Sequence, residues 1–290
     1  MDRLNKNQPL GADNRTNNIV EASLNYLADS TEKPVYYAYE PPTGVPRQTG
    51  KFAQQPVPVR NARDVVDELS LDKQGFELVR HETSVKDFYD PEEVKQVYYP
   101  EVERMLKEAT GASKVVIFDH QVRNLPLAQR GEKNAREYGK VVHNDYTAKS
   151  GPRRVTDHLP PAEAEERLRH RFAEINVWRP IRGPIESTPL AVCDAGSIDP
   201  VDFVASDLIY RDKVGETYRF KFNPNHRWYY FPLLQRNEAI LLKCYDSKED
   251  GRARFTAHTA FEDPSSGPDA APRESVEVRA LVFWPEEERR

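Results

Sequence analysis

Cysteine is scarce, with 2 in 290 residues, and Cys193 and Cys244 both lie in apolar segments without a C-x-x-C partner. Neither a disulfide framework nor a thiolate zinc site follows from such a pair, and buried, inert thiols are expected. Long apolar runs are missing too: stretches such as Ala280 to Trp284 fall far short of the ~20 residues a membrane-spanning helix needs. No basic block exists. Lys+Arg 42 against Asp+Glu 47 leaves a charge of −5 spread along the chain, without the footprint that binding a phosphate backbone requires. The polar start, Met1 to Thr16, lacks the apolar segment of a secretory signal, so a cytoplasmic protein is expected. Glycine is sparse beside proline, 13 against 23, which favours short, often interrupted elements over a helical bundle. With no glycine-rich phosphate loop, no G-x-S-x-G elbow and no internal repeat, common nucleotide-binding and serine-hydrolase readings lose support.

What remains is an ordinary globular composition, 38% hydrophobic and 31% charged. Residues 1–18 are polar and Asn-rich and read as a disordered arm, leaving 19–290 as a single domain. Val35 to Tyr39 reads as a strand, Pro41 to Pro58 as loop, and Asn61 to Leu71 as a helix with Asn61 at its cap. Asp90-Pro91-Glu92-Glu93 marks a stronger helix start. Val94, Val97, Tyr98, Val102, Met105 and Leu106 continue it at helical spacing, Pro100 should kink it, and Gly111 should close it. A short solvated helix is expected from Pro161 to Phe172. Strand patterns then cover Val115–Phe118, Lys140–His143, Ala173–Trp178, Pro189–Cys193, Tyr218–Phe222, Trp228–Leu233, Ala239–Tyr245, Phe255–Ala260 and Ser275–Trp284. Without strand-helix-strand alternation, this succession predicts a mainly β, antiparallel jelly roll with helices buttressing one face.

Of the seven histidines, His143 is the informative one. In Val142-His143-Asn144-Asp145-Tyr146, His and Asp two residues apart at a strand end point to one side of the sheet and can offer a nitrogen and an oxygen to one ion. His258, within the apolar run Phe255 to Phe261, is the expected third ligand. Two imidazoles and a carboxylate leave three positions open on an octahedral ion, which suits Fe(II) that must bind a bidentate cosubstrate and then O2. The same ligand types suit zinc. Farther on, Arg273 and Ser275 share a strand face with Arg279, and a planar guanidinium beside a hydroxyl is a donor set for a carboxylate such as the distal one of 2-oxoglutarate. Each feature alone has a plainer reading, as a solvated loop, a core histidine or a surface salt bridge. Their order on a strand-rich chain without a competing catalytic motif is what points to a metal site.

With these residues in place the chain resembles the Fe(II), 2-oxoglutarate-dependent oxygenases of the gibberellin desaturase-like group. That group also holds a cephamycin 7α-methoxylation component and fungal secondary-metabolism enzymes. Besides the triad, the resemblance rests on Tyr99-Pro100-Glu101-Val102-Glu103, Phe118-Asp119-His120-Gln121-Val122-Arg123 and Asn176-Val177-Trp178-Arg179-Pro180. Trp228-Tyr229-Tyr230-Phe231-Pro232 and Leu242-Lys243-Cys244-Tyr245-Asp246-Ser247 complete it. It implies a double-stranded β-helix (cupin-like), iron held by His143, Asp145 and His258, and 2-oxoglutarate and O2 as cosubstrates. Arg273 is the first candidate for the distal carboxylate and Arg279 the second, because the Arg-x-Ser pair comes late after His258. Hydrogen abstraction from a small carboxylated or amino-acid-derived metabolite would then give hydroxylation, desaturation or oxidative cyclisation, aziridine closure included. Arg179, Arg123 and Arg211 are candidates for gripping a substrate carboxylate, and Tyr146, Trp178, Trp228 and Phe231 for apolar walls. A non-catalytic jelly-roll binding module and a zinc-dependent hydrolase with the same ligands are the competing readings. Pro152 to Pro161 and Asp263 to Pro272 are candidate mobile segments beside the site.

Overall fold

Strand periodicity dominates the computed structural model of the protein, which describes residues 18–29 and 31–285. Of the arm expected over 1–18, residues 1–17 lie outside the described residues. In chain order the strands are β1 (Ile19–Asp29), β2 (Val35–Tyr37), β3 (Lys51–Asn61), β4 (Phe76–Arg80), β5 (Lys114–Asn124), β6 (His143–Asn144) and β7 (Phe172–Pro180). They continue with β8 (Leu190–Cys193), β9 (Phe203–Ile209), β10 (Val214–Phe220), β11 (Trp228–Tyr230), β12 (Glu238–Asp246), β13 (His258–Ala260) and β14 (Glu274–Phe283). One sheet has the order β1-β3-β11-β8-β13-β6-β10-β9-β2 and the other β4-β12-β7-β14-β5. Pairing is antiparallel except for β11 with β3 and β2 with β9. Two curled, mainly antiparallel sheets face each other as the expected jelly roll.

Three apolar clusters hold this arrangement. The outer face of the five-stranded sheet, with Ala173, Ile175, Val177, Leu241, Val276 and Val278, packs under the helical run over residues 91–110 through Val94, Tyr98, Val102, Met105 and Leu106. A second cluster, including Phe172, Trp178, Val192, Phe231, Leu242 and Leu281, fills the space between the sheets. The third lies on the other face of the nine-stranded sheet, where β1 and β3 contribute Leu24, Tyr26, Val57 and Val59 against Cys193, Phe220 and Trp228.

The helical run follows its sequence signals closely. The Asp90 side chain accepts from Glu92 N at 2.9 Å, Pro91 is the first residue of α1 (Pro91–Glu93), and Gly111 ends α2 (Tyr99–Thr110) at φ 70°. Glu93 does not return to the cap; its carboxylate accepts from Lys86 N and Asp87 N and ties down the preceding loop instead. The kink expected at Pro100 takes the form of a π turn over Val94–Tyr98, with Tyr99 N donating to Val94 O, directly before the residue that has no N–H to give.

Several expectations need correction. The loop from Pro41 to Pro58 is in part β3, which pairs along its length with β1 despite Pro56 and Pro58. Residues two apart point their N–H groups to the same edge, so prolines at this spacing leave one ladder intact. Asn61 caps a short 3₁₀ stretch, Ala62–Glu68, rather than a helix to Leu71. After α3 (Leu125–Gln129), the segment expected to be a mobile loop from Pro152 is α4 (Ser150–His158), with Pro152 in its first turn where no N–H is needed. The helix expected from Pro161 to Phe172 is α5 (Pro161–Arg167). The loop before β14 is pinned by Glu186, whose carboxylate accepts from Ala271 N and whose carbonyl accepts from Ser266 Oγ. No helix among the described residues is long and apolar enough to cross a membrane, and both cysteines are buried and free.

Candidate active site

Register brings the two histidines together. His143 on β6 is the direct cross-strand partner of His258 on β13, so both side chains leave the same face of the nine-stranded sheet. Their ring centroids lie 4.4 Å apart, and His143 Nε2 stands 3.7 Å from Asp145 Oδ1. One ligand atom from each of His143, Asp145 and His258 falls within 4.8 Å of the others. His143 Nδ1 lies 2.7 Å from Val141 O and His258 Nδ1 lies 3.0 Å from Thr256 O. A carbonyl only accepts, so each Nδ1 carries the proton and each Nε2 keeps a free lone pair for a metal. Gly139 permits the packing here, since a Cβ at that position would stand 3.2 Å from His143 Cε1.

The charges around the triad suit a cation. Burial, with His258 alongside, pushes His143 down to about 3, against the pull of Asp145, so the imidazole is neutral and ready to ligate at ordinary pH. Burial acts to raise the Asp145 carboxyl, but Arg279, the two imidazoles and Asn176 outweigh it and hold the group well below the usual carboxylate range. Asn176 Nδ2 at 2.8 Å and Arg279 Nε at 3.0 Å both donate to Asp145 Oδ2. Oδ1 is left facing His143.

Arg273 and Arg279 differ in what surrounds them. Arg279 donates to three carboxylates, Asp145, Asp119 at 2.8 Å and Glu277 at 2.6 Å, and has no fork left to offer. Arg273 is buried, bonds Thr188 O at 2.7 Å and lies 4.2 Å over the Tyr138 ring, with Trp178 5.4 Å away. It makes no ion pair among the described residues, and its Nε, like the neighbouring Ser275 Oγ, is buried without a partner. Burial lowers its guanidinium to about 9. A buried cation and a hydroxyl with unused donors are the complement of a carboxylate, which fits the distal end of 2-oxoglutarate.

The remaining predicted residues divide between the faces. Trp178, Tyr146 and Phe231 pack in the cluster between the sheets. Arg123 pairs across β5 and β14 with Ser275 and donates Nη1 to Glu137 O. Arg179 does not join them. One residue beyond Trp178 on β7, it points into the helix-side core, over the rings of Phe88 and Tyr98, and donates to the carbonyls of His81 and Arg236. Trp228 likewise faces the outer cluster, donating to Tyr26 Oη at 2.7 Å. Arg211 is exposed and stacks on Tyr39. The sequence does not single out Asn176, which donates to Asp145, or Tyr138, whose ring lies under Arg273, although Asn176 and Glu174 carry a signal as alternate polar residues in an otherwise apolar strand.

Comparison with known proteins places this geometry. The oxidoreductase/YMDC permease-like domain family matches residues 24–283. The hydroxylase/desaturase efuI of Hormonema carpetanum is 36% identical over 93% of this chain and 97% of its own length. The alpha-ketoglutarate-dependent dioxygenase phiK of a fungal species is 34% identical over 92% and 96%. Among solved structures, the iron and alpha-ketoglutarate-dependent endoperoxidase NvfI superposes with a TM-score of 0.83 at 27% identity, covering 93% of this chain and 99% of that one. Neither the non-catalytic binding module nor the zinc hydrolase finds support in these relatives. With a jelly roll, a His-Asp-His cluster and near full-length similarity to such enzymes, the chain belongs to the Fe(II)/2-oxoglutarate-dependent dioxygenases of fungal secondary metabolism, oxidoreductases that use Fe(II), 2-oxoglutarate and O2 on small molecules.

Proposed function

We propose that His143, Asp145 and His258 are the iron ligands, that Arg273 and Ser275 receive the distal carboxylate of 2-oxoglutarate, and that Asn176 and Arg279 position Asp145. The observation that carries this reading is the three-residue ligand cluster with both Nε2 atoms free, in a fold that also buries Arg273 without an ion pair among the described residues. Bound Fe(II) with 2-oxoglutarate supplies oxidative decarboxylation and hydrogen abstraction. The chain supplies the geometry: two carbonyls fix the imidazole tautomers, and two donors on Asp145 Oδ2 favour coordination through Oδ1. Trp178 walls the keto-acid side, and Tyr146 and Phe231 keep the interior apolar.

The prime substrate in this proposal is a small carboxylated or amino-acid-derived metabolite, converted by hydroxylation, desaturation or oxidative cyclisation, with aziridine closure as one form of the last. Rebound against second oxidation is decided by which hydrogen the pocket presents. We read 19–290 as one catalytic domain acting in the cytoplasm, where two free buried thiols persist. Anaerobic addition of Fe(II) and 2-oxoglutarate should give a weak visible metal-to-ligand charge-transfer band. His143→Ala should abolish it while circular dichroism stays unchanged; a colourless wild-type complex would overturn the assignment. Screening small acids and amino acids for succinate release, with product masses, then separates gain of oxygen from loss of two hydrogens.

A further inference from the structure

One cation beside the ligand cluster has no side-chain partner among the described residues. Arg219 on β10 is the cross-strand neighbour of His143, so it leaves the same sheet face. Across four strands that face reads Val192, His258, His143, Arg219 in one row. Arg273 reaches Thr188, just ahead of β8, at the His258 end of this row. Arg219 stands at the other end. It is half-buried, yet its guanidinium makes no hydrogen bond, ion pair or ring contact with another described residue.

A half-buried guanidinium without a counter-ion is costly unless something supplies one. The carboxylate whose charge reaches Arg219 is Asp145, and Asp145 is already taken by Asn176, Arg279 and the ligand cluster. Arg123, on the five-stranded sheet, belongs to the Arg273 end instead, opposite Ser275 and with its charge bearing on Arg273. 2-Oxoglutarate accounts for Arg273 and leaves Arg219 unexplained.

We infer that Arg219, in the row of side chains that carries His258 and His143, forms an anion site next to His143 that holds a carboxylate of the prime substrate. This rests on the iron reading above and deepens it: the substrate is anchored by its acid group on the His143 side, while the keto acid is anchored at Arg273. Such an anchor fixes which carbon faces the metal and so is a determinant of specificity.

The test uses the whole enzyme, anaerobic and saturated with Fe(II) and 2-oxoglutarate, titrated by calorimetry with benzoate as a carboxylate probe and benzamide as its uncharged counterpart. Benzoate should bind at least about tenfold more tightly than benzamide, and Arg219→Gln should weaken benzoate at least about tenfold, as expected for loss of a charge-assisted fork. Arg219→Lys, which keeps the charge and guards against misfolding, should fall between. The charge-transfer band and the 2-oxoglutarate concentration that half-saturates it should stay unchanged in both variants. Absence of benzoate binding, equal binding of benzamide, or unchanged affinity in Arg219→Gln would overturn the inference. So would a lost or shifted band, which would assign Arg219 to the keto acid or to His143. A wild-type enzyme with no band fails the iron reading instead, and the benzoate titration of Arg219→Gln still decides this one.

Discussion

On β7 every residue from Phe172 to Pro180 is buried, yet the two faces of the strand meet different surroundings. Ala173, Ile175 and Val177 meet the helical run and are satisfied by apolar contact, whereas Glu174, Asn176 and Trp178 look toward the space between the sheets. The same division runs along β14, where Val276 and Val278 join the helix side while Ser275, Glu277 and Arg279 face inward. Polar atoms left without partners cluster on the inner side: both Glu174 oxygens, Asn176 Oδ1, Arg273 Nε and Ser275 Oγ. The helix side has a smaller counterpart, Arg179 Nε beside Tyr98 Oη. Burial therefore does not separate core from site in this fold. The number of unsatisfied donors and acceptors does, because unpaired polar groups survive inside a protein where a ligand or a metal can complete them.

That division predicts effects of different kinds. The largest belongs to the helix face, where Leu241→Ala on β12 removes a side chain buried in the cluster under the helical run. A loss of about 2–5 kcal/mol in unfolding free energy is expected from the cavity, read by denaturant titration. The folded fraction should bind Fe(II) and 2-oxoglutarate as before; altered binding would show that the two faces are coupled. Next comes Asn176→Ala on the inner face. It takes one of two donors from Asp145 Oδ2 and should weaken Fe(II) about 10–100-fold, measured by titrating the charge-transfer band, with little change in melting temperature. If affinity holds, Arg279 alone fixes the carboxylate.

How far the sequence reaches follows from the same geometry. His143, Asp145 and His258 are legible because residue type and a spacing of two fix their side of the strand, and register does the rest. Arg179 is misread by one residue: on a strand buried on both faces there is no apolar-polar alternation to tell which parity looks inward. Arg273 and Arg279 share a parity, so sequence alone offers both as clamps. Only pairing separates them, since Arg279 sits opposite Asp119 and within reach of Asp145 while Arg273 pairs with no carboxylate among the described residues. β3 is hidden by its own prolines and α4 by Pro152, residues that end elements in general and are tolerated at these positions. Arg219, between Tyr218 and Phe220, carries no signal in the sequence; only the β10 register places it beside His143.

Glu174 gives the finest test of the comparison. It is wholly buried on the inner face, neither oxygen has a partner among the described residues, and burial, reinforced by Asp145 and only partly offset by Arg154, raises its carboxyl well above the ordinary value. A carboxyl whose folded value is raised contributes most favourably to stability below its unfolded value and progressively less as pH rises through the range between the two. The group is thus a neutral acid that the fold tolerates at a cost growing with pH. Glu174→Gln keeps the shape and removes the ionisation. It should stabilise the protein at pH 8 by roughly 1 kcal/mol, on the scale of one poorly satisfied buried group, equivalent to a rise of about 2–4 °C in Tm. The gain should shrink as pH falls toward about 4, because the unfolded chain then also keeps Glu174 protonated and its ionisation no longer favours unfolding. A gain independent of pH would mean that the benefit comes from packing or new hydrogen bonds, and a loss of stability would mean that Glu174 is partnered in solution. Either result would remove Glu174 from the set of inner-face groups that give up stability, and the contrast between the faces would then rest on Asn176, Arg273 and Ser275 alone.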